Sequence, residues 1–407
     1  MNKLYKWGEF MNREDFPILA NENIYFDNAA TTFKPKCVID EMNKYYLEYT
    51  SNIHRGDYDF AVKTNNMYDN VRNIVSEFIN CDPKTVIYTS GATHSLNMVV
   101  FGFMKYYLKP GDEVLLNKGE HASNILPWIK LSEEIGFTIK YIPLDEDYSL
   151  TLDNVKKSIT PNTKVISLAM ISNVIGDLRD IKGIGELCRD NNIIFNVDGA
   201  QGIPHMKFDF NNSNVDFLSF SGHKMCGPTG VGILVGKYEL LEKMKPLMYG
   251  GGMNNFFEED NSYELKSIPI RFEAGTPAIA EVIGLGEAIK YLMGIGMDNI
   301  HQQEINLKKY FLEKVKDIDN IIIYNKNINS GIIAFNIDGV FAQDTSMYLN
   351  HYGIAVRAGN HCAKMLKDEM DIKNTVRISM YFYNSYEEID KLIEVLKNSH
   401  DIFKIVL

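Results

Sequence analysis

The sequence predicts an α/β protein. A large doubly wound, mostly parallel (mixed) sheet domain is expected over residues 21–285, and a smaller α+β domain over 286–407, joined by the N-terminal residues 1–20. Three observations carry this reading. From about Thr85, short β-branched runs alternate with amphipathic stretches, the order of right-handed βαβ crossovers. The 407 residues suffice for one large α/β unit and a companion with a substantial core. The hydrophobic and charged fractions, 45% and 23%, sit near globular averages, so the whole chain has the composition of a folded protein.

The elements follow in order. VIYTS (86–90) reads as a strand before a helix from His94, and DEVLLN (112–117) as a strand before a helix through WIKLSEEIG (128–136). FTIKYIPL (137–144) precedes the helical LDNVKKSI (152–159), KVISLAM (164–170) precedes GIGELCRDN (183–191), and IIFNVD (193–198) closes the alternation. DFLSFS (216–221) and GVGILVG (230–236) come with little helical material between them, as an antiparallel or edge addition would. GLGEAIKYLMGIG (284–296) opens the remainder as a helix ended by glycine in the left-handed manner. A helix around Ile305–Val315, the strand pattern GIIAFNI (331–337) and a closing helix Tyr386–Asn398 complete it, followed by Ile402–Leu407.

Charge and cysteine usage exclude several classes. The net charge is −11 and no stripe of basic residues would follow a phosphate backbone, so nucleic acid is not an expected partner. Five cysteines at irregular spacing, with no C-x-x-C, fit neither a disulfide framework nor a structural zinc site. Met1–Ala20 is interrupted by charges and lacks the apolar core of a signal peptide, so cytoplasmic residence is expected. The longest apolar run, near Met98–Leu108, contains Lys105 and is about half the length a bilayer requires.

Chemistry concentrates in two places. Asp198 lies at the carboxyl end of a buried strand, the sheet edge where ligands bind, and Lys224 sits in the glycine-flanked turn SGHKMCGPTG after another strand. Singly, a carboxylate that caps a turn and a solvated lysine are the commoner cases. Together with Ser221, His223 and the Gly227–Gly230 turn they surround one amine with donors, as a lysine that forms a Schiff base requires. VRAGNHCAKML places Cys362 beside Arg357 and His361, the electropositive setting of a reactive thiol, although a buried inert cysteine is the more frequent case.

The motifs IYFDNAATTFKP, SNIHRGDYDF, SGATHSLN, EHASNILPW, ISNVIG, VDGAQ, SGHKMCGPTGVGIL, RFEAGTP, GIAVRAGNHCA and VRISMYFYN run nearly end to end. In that order the chain resembles the class V aminotransferase-like, fold type I pyridoxal-phosphate enzymes, specifically cysteine desulfurases of the group that supplies sulfur for iron–sulfur clusters. The resemblance implies pyridoxal 5'-phosphate bound covalently to Lys224, with Asp198 on the pyridinium nitrogen, Gln201 on the ring hydroxyl and His121 stacked on the ring. It implies a phosphate site from Ala92, Thr93, Ser221 and His223, completed by Thr276 of the other protomer, hence a homodimer in which the Gly250–Gly252 turn also crosses over. Arg377 would take the substrate α-carboxylate, with Asn173 and Arg357 near the substrate, and Cys362 would be the nucleophile that leaves as a persulfide.

L-cysteine as substrate, L-alanine as product and a sulfur-acceptor protein as partner follow from the same resemblance, and the short loop after Cys362 fits the group that relies on a dedicated acceptor. The chain departs from the family at Ala92, where threonine is usual, and at Ala122 and Asn360, where many relatives carry histidine. Cys37, Cys81, Cys188 and Cys226 read as structural. Selenocysteine lyase or cysteine sulfinate desulfinase, which depend less on the loop cysteine, stay open as alternatives, as do another aminotransferase and a scaffold without turnover.

Overall fold

A computed structural model of the chain describes residues 13–54, 56–327, 329–399 and 402. Residues 1–12 of the expected N-terminal joining segment, Arg55 of SNIHRGDYDF, and all of the Ile402–Leu407 tail except Ile402 lie outside the described residues. Strand β1 (Ile24–Tyr25) is followed by the sheet-forming strands β2 (Val86–Thr89), β3 (Glu113–Asn117), β4 (Thr138–Ile142), β5 (Thr163–Ala169), β6 (Ile194–Asp198), β7 (Phe217–Ser221) and β8 (Gly232–Gly236). A hairpin, β9 (Asn254–Phe257) and β10 (Tyr263–Leu265), comes next. The C-terminal part holds β11 (Ile321–Ile323), β12 (Ile332–Ile337), β13 (Ile354–Ala355), β14 (Arg357–Gly359) and β15 (Thr375–Ser379).

Seven strands form the large sheet in the order β2-β8-β7-β6-β5-β3-β4. The run from β7 to β4 is parallel, and β8 is antiparallel to both β7 and β2, so the antiparallel addition expected from DFLSFS and GVGILVG is present. Five of these strands, β2, β3, β6, β7 and β8, are buried along their whole length because helices cover both faces. The edge strand β4 is exposed at alternate residues. The parallel strands all end on one edge, which brings Asn117, Ala169, Asp198 and Ser221 to the same side.

Several features of the helices differ from the sequence reading, among them the start of the helix expected around Ile305–Val315, which begins at Met297. The helix after β2 starts at Ala92 rather than His94 and widens into a π-helical stretch at Met98–Met104. The helix expected from Gly284 spans Ile279–Ile295 and runs through the expected domain boundary, because its first turn packs onto the large-sheet core. Gly296 ends it at φ 89°, ψ 123°, a positive φ but outside the left-handed helical basin expected there, since the next helix, Met297–Val315, begins at once.

The C-terminal sheet is antiparallel in the order β11-β12-β15-β14, with its own apolar core. The helix Tyr386–Lys397 covers it and starts from a capping box between Ser385 and Glu388. Ile24–Asp27, early in the span expected for the large unit, pair instead with β13 and Ser379, and Phe26 is buried in the C-terminal core.

One close approach sets the geometry of the sheet's functional edge. A Cβ on Gly232 would lie 2.5 Å from the Cα of Gly91 and 2.7 Å from the carbonyl oxygen of Phe220, so β8 can pass beneath the Gly91 turn only without a side chain. Gly232→Ala is expected to force that turn outward and to cost about 1–3 kcal/mol, read as a lowered urea midpoint with unchanged slope. An unshifted midpoint would show that the turn yields freely.

Candidate active site

The strand ends and the loops after them enclose a cavity of about 200 Å³. Lys224 follows β7 in a short 3₁₀ turn, and Asp198 is the last residue of β6. Asp198 accepts from the Ala200 backbone N–H at 2.9 Å. Burial raises its pKa, opposed by that bond, Lys224 and Arg179. Burial lowers Lys224 to about 8, with Asp198 pulling the other way. Gln201 donates to the Ala29 carbonyl at 2.7 Å, which leaves its buried Oε1 without a partner.

His121 caps a 3₁₀ turn through Nδ1, which accepts from the Ser123 backbone N–H at 3.1 Å, so the ring proton of the neutral form belongs on Nε2. Burial, with Lys224, Arg357 and Arg377, brings its pKa to about 4, and the imidazole is neutral at pH 7. His223 is likewise lowered to about 4 by burial, Lys224 and Lys34.

At the other end of the cavity Gly91 takes φ 146° and lets the backbone turn into the helix at Ala92. The Ala92 N–H donates to Ser221 Oγ at 2.8 Å, and Thr93 Oγ1 lies 2.8 Å from Ser123 Oγ. Backbone amides and three hydroxyls at a helix start make an anion site. This donor set fits pyridoxal phosphate: an anion site at one end, a desolvated amine and a buried carboxyl at the other, and in Gln201 Oε1 a buried acceptor that a ring hydroxyl would satisfy.

The C-terminal sheet supplies the remaining wall. Arg357 of β14 and Arg377 of β15 stand opposite each other in register. Arg377 donates to the Asn173 carbonyl at 2.8 Å and to Asp27 Oδ1 at 2.7 Å, and its Nε has no partner. Cys362 is the one exposed cysteine. It and His361 both hold positive φ, 58° and 51°, a conformation that costs non-glycine residues about 1–2 kcal/mol each. Asn173 Nδ2 donates to the His361 carbonyl at 2.7 Å and the Ala122 N–H to the Cys362 carbonyl at 2.8 Å, which ties this loop to the His121 turn.

Lys224, Cys362, His121, Asp198, Gln201, Ala92, Thr93, Ser221, His223, Arg377, Asn173 and Arg357 thus line one cavity. Thr276 does not. It lies in a separate depression with Asn52 and His54, its hydroxyl 3.3 Å from Asn52 Nδ2. Cys81, Cys188 and Cys226 are buried and Cys37 half-buried, and burial raises all four thiols.

Sequence reasoning missed four contributors. Ser123 lines the cavity and was visible two residues after His121 in EHASN. Asp27, which anchors Arg377, sits in the quoted FDNAAT motif. Glu120 and Arg179 had no local signal. Arg179 pairs with Glu120 Oε1 and donates to the Ala169 carbonyl at 3.1 Å, while Glu120 Oε2 accepts from the Ala169 N–H at 2.8 Å and from Asn124 at 2.7 Å.

The family model described as aminotransferase class-V matches residues 24–392. A probable cysteine desulfurase of Staphylococcus aureus is 41% identical over 398 residues, 96% of each chain. The solved apo cysteine desulfurase of Thermococcus onnurineus is similar at a TM-score of 0.92 and 35% identity, covering 95% of this chain and 96% of that one. A cysteine desulfurase of Escherichia coli superposes at 0.90 and 32% identity, covering 96% and 97%.

Truncating one partner of the Glu120–Arg179 pair strands a buried charge. Arg179→Met alone is expected to cost about 3–5 kcal/mol, and the double variant Arg179→Met with Glu120→Gln to recover a large part of it. A urea-denaturation double-mutant cycle reads both; additive losses would mean that the pair is not coupled.

Proposed function

The chain belongs to the class V aminotransferase family, and on that premise we propose that it is a pyridoxal-phosphate-dependent cysteine desulfurase. It would convert L-cysteine to L-alanine, hold the sulfur as a persulfide on Cys362 and pass it to an acceptor protein of iron–sulfur cluster assembly. The observation that carries this reading is an exposed thiol in the same cavity as Lys224, Asp198 and Arg377, since a transaminase has no use for one.

Bound there, pyridoxal 5'-phosphate supplies a protonated pyridine ring that draws electrons from the substrate α-carbon. Lys224, lowered to about 8, has an uncharged fraction near neutrality able to bond a carbonyl carbon. Asp198 would hold the ring nitrogen's proton, Gln201 would meet the ring hydroxyl, and the helix start at Ala92 with Thr93, Ser221 and His223 would take the phosphate. Arg377 is fixed by Asp27 and Asn173 and has N–H groups left for the substrate carboxylate, with Arg357 beside it. His121, neutral and with Nδ1 engaged, presents Nε2 for proton movement.

In the net reaction the C–S bond of L-cysteine breaks and its electron pair stays with the carbon skeleton, which gains a proton to become L-alanine. An S–S bond forms at Cys362 Sγ. An acceptor thiol then removes the outer sulfur. Cytoplasmic residence belongs to this reading and is supported by five free thiols; no helix among the described residues is long and apolar enough to cross a membrane.

Cys362→Ala should abolish sulfide and alanine production from L-cysteine while cofactor binding persists. In the unmodified enzyme, cysteine without reductant should add about 32 Da to the peptide carrying Cys362, removable by reductant. Undiminished desulfuration by the variant would favour the selenocysteine lyase or sulfinate desulfinase reading.

The position of Thr276 outside its own cavity supports a homodimer that shares sites. Thr276→Ala should then be impaired alone and regain activity when subunits are exchanged with the inactive Lys224→Ala chain, because the mixed dimer contains one complete site. No gain on mixing would overturn the shared site.

A further inference from the structure

Two successive residues at positive φ need to be held from both sides, and the loop at Cys362 is. From the large sheet, Asn173 and Ala122 bond its carbonyls. From the C-terminal sheet the anchor is Thr375, the first residue of β15, whose register sets it opposite Gly359. His361 Nε2 lies 3.1 Å from the Thr375 carbonyl and 3.0 Å from its hydroxyl, and the Lys367 amine donates to that hydroxyl at 2.7 Å.

Lys367 is the anomalous member of this cluster. It is 1% exposed, and its amine forms no ion pair among the described residues. The acids on its own helix are engaged elsewhere: Asp368 with Lys364 at 2.7 Å, Glu369 with Lys118 at 2.9 Å. What faces it is cationic or neutral. Arg377 of β15 acts directly on it, and Arg357 of β14 acts on the adjoining His361. The carboxylate of this wall, Asp27, is bound to Arg377. Burial, with Arg377 adding in the same direction, lowers Lys367 to about 7, and burial with Arg377 and Lys367 brings His361 to about 2, so the imidazole stays neutral.

We propose that Lys367 is a positioning residue for Cys362 that couples docking of the nucleophile loop to release of a proton: the loop, anchored through Thr375 and His361, closes on the cavity with the amine uncharged and opens when the amine is hydrated and charged. The proposal rests on Cys362 as the sulfur carrier. Its use would be to separate two demands on one thiol, docked to take sulfur and released to present it.

The sign follows from the depressed value. Between about pH 7 and about pH 10 the open loop carries a proton that the docked loop lacks, so docking strengthens up to tenfold for each unit rise in pH. Below that window both forms are protonated and the dependence vanishes.

Hydrogen exchange of the segment 359–368 in the holoenzyme, corrected for intrinsic rates, tests this at about pH 7.5 and about pH 8.5. Wild type should open up to tenfold less at the higher pH. Lys367→Met should open little at both, and Lys367→Arg, which keeps its charge, should open readily at both. A wild-type slope that persists in Lys367→Met, or no slope in wild type, would overturn the coupling. Repeating the measurement with Cys362→Ala separates the two claims: the slope should survive there even if desulfuration proves not to need Cys362.

Discussion

Glu120 and Arg179 are paired where water does not reach either side chain, and the floor of the cavity follows from that pairing. Between them they take both the N–H and the carbonyl of Ala169 at the end of β5. Glu120 also directly precedes His121, so the imidazole is positioned by a residue pinned in the core. Asn124, held by Glu120, accepts from Ser167, which accepts from Asn196 of β6, two residues before Asp198. A charge this deep tolerates few alternative positions, because any displacement that separates the pair leaves an uncompensated ion in a dry interior. The network therefore fixes three strand ends more firmly than apolar packing alone would.

The charged groups around the cavity are mostly cationic. Arg357, Arg377 and Lys224 outnumber the carboxylates Asp27 and Asp198 that face them. A chain with a net charge of −11 thus concentrates positive potential in one cleft, where low-dielectric walls focus it onto small anions. On the proposed function the substrate carboxylate and the cofactor phosphate would both answer that field. His121, His223 and His361 are all held neutral, first by burial and then by neighbouring cations.

Much of this was legible in the sequence for a physical reason. The buried strands are short β-branched runs, and chemistry-bearing residues sit immediately after them, so Asp198 and Lys224 could be placed at one sheet edge before any coordinates. What stayed hidden depends on partners distant in sequence. Glu120 and Arg179 are 59 positions apart and neither has a periodic pattern to declare it. The π-helical widening at Met98–Met104 was invisible because hydrophobic spacing does not separate it from an α-helix. Ile24–Asp27 could not be assigned from sequence to the C-terminal sheet, because a two-residue strand has no pattern of its own.

The distribution of thiols has a consequence for oxidative injury. An oxidant entering the cavity meets one sulfur, because no other cysteine lines it. A sulfenic acid formed there has no neighbouring thiol in the cavity with which to close a disulfide, the reaction that normally halts further oxidation. Rescue must come from a thiol brought from outside, and on the proposed function the sulfur acceptor would double as the guard of Cys362.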